Sequence, residues 1–97
     1  MTGKTQTGYE YEIDERILSD WRLTKAIVDT QDKDDIKKLR AAEEIAVLLL
    51  GEDGESALLR HVADQNDGFM PTDKVMAELM DIVKSQKIKN SSSSQSA

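Results

Sequence analysis

The sequence predicts a mainly α fold, a small bundle of about four helices with room for a short N-terminal β-strand or hairpin. Three observations lead there. Apolar residues recur at i, i+3, i+4 and i+7 through most of the chain, which gathers them on one side of a helix. Breaks rich in Asp, Asn and Gly divide these stretches at residues 31–35, 51–54 and 66–68. Only Tyr9 to Ile13 alternates with the period of two that a strand requires.

Residues 1–13 form an N-terminal segment, 14–86 the helical domain and 87–97 a serine-rich tail. Met1 to Gly8 is small and polar and is expected to fray. Tyr9, Tyr11 and Ile13 fall on one side and Glu10 and Glu12 on the other. Three arrangements satisfy that pattern: a hairpin with Lys4–Gln6 across a Thr7–Gly8 turn, pairing with another chain, or an unpaired extended segment. Asp14 suits the cap of a short turn, and a helix follows over about Ser19 to Thr30. Its Trp21 reads as an anchor packed on the next helix, or as an interface residue, since Trp is enriched at binding hot spots.

The longest periodic stretch is Asp35 to Leu50. Ile36, Leu39, Ala42, Ile45, Ala46, Leu49 and Leu50 share its broad apolar face, and Leu48 points nearly the other way. The carboxylates before it suit the positive end of the helix, and Gly51 reads as its stop. Glu52-Asp53-Gly54 then links to a helix over about Glu55 to Gln65, with Leu58, Leu59, Val62 and Ala63 inward. Asn66-Asp67-Gly68 ends it, Phe69 and Met70 cross over, and Thr72 caps a final helix with Asp73 in its first turn. That helix turns Val75, Leu79, Ile82 and Val83 inward, with Met76 and Met80 along the margin of the stripe. Beyond Lys87 the chain is low-complexity with no apolar stretch to bury, and disorder is expected.

The 97 residues support one modest core. The net charge of −6 disfavours binding nucleic acid through its phosphates. No cysteine is present, so disulfides, thiolate metal sites and thiol nucleophiles are excluded. The opening residues do not resemble a signal peptide, and the longest apolar run, Ala46 to Leu50, is too short to span a bilayer. Residues 64–70 look like part of a calcium loop, but setting Gly68 at the sixth position places Ala63 first and Lys74 twelfth, and neither can ligate calcium. His61 is the sole histidine and reads as a packed or surface residue. Neither a phosphate loop nor a nucleophile elbow or zinc signature occurs. Helix-turn-helix geometry is conceivable, yet Glu55 to Gln65 offers base edges only Arg60 and Gln65 among acidic neighbours. No catalytic, cofactor or metal site is therefore predicted, and the chain is read as non-enzymatic.

Several stretches together bear a family likeness: GYEYEIDERILSDWRLTKAI, a charged break, a helix ending LLLGEDG, LLRHVADQNDG, FMPTDKVMAELMDI and the terminal KNSSSSQSA. From Gly8 onward the chain resembles the tail assembly chaperones of long-tailed bacteriophages and prophages. The resemblance implies a small helical protein that binds the tape-measure protein, with the tail tube protein as a further partner; self-association is the remaining partner expectation. It would work in the host cytoplasm during tail morphogenesis and be missing from the mature virion. The other reading is a small structural or adaptor protein of the tail or head–tail junction that stays in the particle. The family often carries a programmed ribosomal slip, and Ile88-Lys89-Asn90 can be encoded by the adenine-rich run such a slip uses. A chaperone for a long helical client needs adaptable apolar surface, and methionine supplies it. Trp21, Leu48, Met76 and Met80 are the candidate partner-binding residues, with core packing as the alternative for each.

Overall fold

The computed structural model describes the backbone of residues 1–95 and the side chains of residues 1–87. Strands β1 (Thr2–Lys4) and β2 (Glu10–Glu12) form an antiparallel hairpin, with Gly3 opposite Tyr11. A 3-10 turn (Glu15–Ser19) follows, then helices α1 (Trp21–Asp29), α2 (Asp35–Gln65) and α3 (Thr72–Gln95). α2 is the hub: α1 packs along it on one side and α3 on another, while β2 touches α2 and β1 touches α3.

The N-terminus does not fray. Met1 and Ile13 close the hairpin, with the Ile13 N–H donating to the Met1 carbonyl at 2.8 Å and the terminal ammonium donating to the Ile13 carbonyl at 2.9 Å. The partner strand lies two residues earlier than Lys4–Gln6, and residues 5–9 make the connecting loop. The alternation has a plain consequence: Tyr11 and Ile13 are buried, and Glu10 and Glu12 face water. Two short strands alone are marginal in water; here the helices supply the apolar surface that holds them.

Aspartates start the helical elements. The Asp14, Asp20 and Asp34 side chains accept from the backbone N–H two residues on, at 3.0, 2.8 and 2.9 Å. Each satisfies a donor that the first helical turn leaves unpaired. α3 starts differently from expectation. The Pro71 carbonyl accepts from Lys74 and Val75, so Pro71 stands at the cap position and Thr72 is the first helical residue.

The expected count of four helices becomes three. The two helices predicted on either side of Gly51 form one element, α2, bent at Gly51 (φ 75°, ψ 172°). Glycine reaches that region and other residues do so only under strain. Helical backbone resumes at once, so Glu52-Asp53-Gly54 belongs to the helix rather than to a loop. At Gly54 a side chain would meet the Leu50 Cβ at 2.6 Å, so the first turn after the bend lies tight against the turn before it.

Leu23, Ile45, Leu58, Leu79 and Ile82 are the fully enclosed apolar side chains, drawn from all three helices. Each stabilises by about 1.5–3 kcal/mol relative to exposure. Ala26, Ala41, Ala42 and Ala46 are buried too, and their small size suits close helix approach. The run Ala46 to Leu50 is mostly core: Leu49 is buried, Leu48 and Leu50 pack against the core, and Val47 is exposed. Ile36 and Leu39 do not join the buried face; the first turn of α2 is left uncovered. α3 passes the expected boundary at Gln86 as helical backbone to Gln95. The tail expected to be disordered, residues 87–97, lies outside the described side chains beyond Lys87, and residues 96–97 lie outside the described residues altogether.

Candidate functional site

The bend at Gly51 turns the second half of α2 so that both halves and the start of α3 surround a half-open groove of about 390 Å³. Leu39, Ala42 and Ala46 come from the first half of α2, Leu58 and Leu59 from the second, and Val75, Met76 and Leu79 from α3. Met70, in the α2–α3 connection, completes the mouth. The floor is core: Ala42, Ala46, Leu58 and Leu79 are buried. The lips are not, for Leu39 is 55% exposed and Met70 51% exposed. Phe69, next to Met70 in the chain, is 73% exposed. Two flexible methionines and an uncovered leucine make a surface that can adapt to varied apolar side chains.

Carboxylates border this groove. Glu43 and Glu55 line it, and Glu52 lies one helical turn before Glu55. Burial pushes the Glu55 carboxyl above its ordinary value, and the charges of Glu43 and Glu52 push it the same way. Among the described residues no Lys or Arg forms an ion pair with any of the three.

The four residues singled out from sequence do not converge. Met76 lines the groove. Met80 borders a separate, more polar hollow with Thr7, Gln65 and Asp81. Leu48 packs against the core on another flank of α2, beside Arg40, Glu44 and Val47. Trp21 is 76% exposed and does not anchor α1 on α2. The reason is angular: Trp21 and the wholly buried Leu23 are two residues apart, about 200° around a helix. Leu39, Glu55 and Met70 were not singled out. Leu39 carried the helical periodicity of residues 35–50 and Met70 stood in the apolar pair Phe69-Met70 within a polar turn, while Glu55 carried no signal.

A second cluster ties the hairpin loop to the helices. Thr5 and Thr7 both donate to Oε1 of the buried Glu78, at 2.9 and 2.8 Å. The Thr7 hydroxyl also lies 3.0 Å from His61 Nε2. Each hydroxyl has one proton and gives it to Glu78, so Nε2 carries the proton shared with Thr7. Tyr9 stacks obliquely near His61 and donates from its phenol to the Gly54 carbonyl at 3.1 Å. A nucleophile activated by histidine must give its proton to the imidazole, with an acid orienting the ring from its other nitrogen. Here Glu78 accepts the hydrogen bonds of both threonines and stands 4.0 Å from the same Nε2. The chemistry of the arrangement is that of a clasp. Deeper along α3, the Gln86 amide donates to the Tyr11 hydroxyl at 2.7 Å, while its carbonyl oxygen has no partner.

Among the described residues no helix is long and apolar enough to cross a membrane, and no group of three His, Cys, Asp or Glu side chains could hold a metal ion. The chain matches no protein-family model, no curated protein and no solved structure.

Proposed function

We propose that this chain is a tail assembly chaperone of a long-tailed bacteriophage or prophage, holding the tape-measure protein during tail morphogenesis without catalysing a reaction. The observation that carries the reading is the groove. Its floor belongs to the core and so is fixed, while its lips, Leu39, Met70 and Met76, present apolar surface that the fold leaves uncovered or half covered. Exposed apolar surface joined to a cleft marks binding sites, and the helix-in-groove mode takes an amphipathic helix through apolar anchors at i, i+3, i+4 and i+7. A tape-measure protein is long and helical and offers such anchors repeatedly before the tail tube encloses it. The net charge of −6 would keep neighbouring copies on one client apart and in solution.

Co-expression with the tape-measure protein tests this. Its soluble fraction should rise when the chain is present and fall back when Leu39→Glu is introduced into the groove mouth. An unchanged soluble fraction with and without the chain would remove the reading. Mass spectrometry of purified virions should find the chain missing; its presence in stoichiometric amount would assign it to the tail or head–tail junction instead.

A further inference from the structure

The groove carries more than a preference for apolar side chains. Two carboxylates, Glu43 and Glu55, stand on it with apolar neighbours, and a third, Glu52, adds its charge from one turn away. Ion pairs relieve only a few of the described acids elsewhere on the surface. Arg16 pairs with Asp14, Arg22 with Asp20 and Lys37 with Asp32. At the groove no described Lys or Arg pairs with Glu43, Glu52 or Glu55, and none lines it, while Glu55 is half-buried there. Three like charges near a partly desolvated wall raise the free energy of the empty groove, and a cation brought in by a partner would lower it.

We propose that the groove receives a cationic amphipathic helix of another protein, whose apolar face fills the floor and whose Lys or Arg side chains seat against Glu43 and Glu55. This rests on the reading of the groove as the partner site and names the chemistry of the partner. Charge complementarity decides between occupants. A second copy of this chain brings a net charge of −6 to an acidic rim and is repelled at long range. A helix with basic margins is attracted and steered into register. Acidic or uncharged helices of equal apolarity gain only the floor contacts.

The experiment uses the full chain and two synthetic helical peptides of roughly 15 residues, long enough to form a helix on binding. Both carry Leu at the i, i+3, i+4 and i+7 positions; one has Lys and the other Glu at the same marginal positions. Calorimetry at low salt should find the Lys peptide bound at least about fivefold tighter than the Glu peptide. Raising salt from about 0.05 to about 0.5 M should shrink the gap, and the chain with both Glu43→Gln and Glu55→Gln should bind the two peptides within about twofold of each other. Equal affinity for both peptides in the unsubstituted chain would make the groove blind to charge and overturn the inference. So would binding by neither peptide, or a dimer that Leu39→Glu dissolves, which would give the groove to a second copy. The co-expression result stands apart. Rescue of the tape-measure protein without a Lys preference would sink only this inference, whereas a Lys preference without rescue would sink only the chaperone reading.

Discussion

Single side chains set the strength of the clasp and the pH response. Glu78 is buried on α3 and accepts from both loop threonines. Glu78→Ala leaves the buried Thr5 hydroxyl without its acceptor, at a cost of about 1–3 kcal/mol. Urea unfolding should show that loss, with faster amide exchange concentrated in residues 1–13, and Glu78→Gln, which keeps an accepting oxygen, should lose less. Two acids titrate in opposite senses. The Arg16 guanidinium and the Arg16 backbone N–H hold the Asp14 carboxyl down at about 2, against an ordinary 3.8. A folded value below the unfolded one means stability present above 3.8 and lost as pH falls toward 2. Asp14→Asn should flatten the melting curve's dependence on pH in that window. Glu55 is shifted upward from 4.5, so the folded chain holds its proton more tightly than the unfolded one. Its ionisation therefore costs stability above the folded value, and the cost vanishes below the unfolded 4.5. Glu55→Gln should raise the melting temperature at neutral pH, with the gain closing on acidification. A variant that is more stable yet binds a cationic helix less well is the trade expected of a functional group.

Among the elements, α2 decides the shape of the site. Its bend brings Leu58 and Leu59 round to face the same groove as Leu39 and Ala46. At Gly51 an added Cβ would meet nothing within 4 Å, so Gly51→Ala is opposed by backbone strain alone. The penalty for holding that conformation is about 1–3 kcal/mol, and the variant can relieve it by straightening α2. Thermal unfolding should show the destabilisation, and peptide binding should weaken with it because straightening separates the groove walls. The hairpin is the other element with a lesson. Its strand periodicity was legible in Tyr9 to Ile13, but its partner Thr2–Lys4 has no pattern of its own. The contacts that hold the hairpin are remote ones, among them the Thr5 hydroxyl on the Glu78 carboxylate, 73 positions apart.

Over the whole molecule, stability and binding should separate at the groove mouth. Leu39 is more than half exposed, so Leu39→Glu should shift stability by no more than about 0.5 kcal/mol. The same change sets a fourth carboxylate among Glu43, Glu52 and Glu55 and replaces an apolar lip. Loss of client rescue with an unchanged melting temperature is the expected pair of results; a large fall in melting temperature would make Leu39 a packing residue.

Local chemistry made the main divisions readable in the chain itself: the aspartates before the helices, the break at Gly51, the turn at Asn66-Asp67-Gly68 and the alternation of Tyr9 to Ile13. These features act on neighbours a few residues away, and their signals sit in adjacent letters. Periodicity also named residues that became core, among them Ile45, Leu49, Leu58 and Ile82. Coverage was beyond its reach. Ile36, Leu39 and Trp21 are as apolar as the residues that were buried, and they stay exposed because no distant element lies over them. The joining of Leu39, Glu55, Met70 and Met76 in one groove was decided by the direction in which α2 bends and by where α3 returns. A helical repeat marks which face of a helix is apolar, but only the packing of remote segments determines what, if anything, comes to cover it.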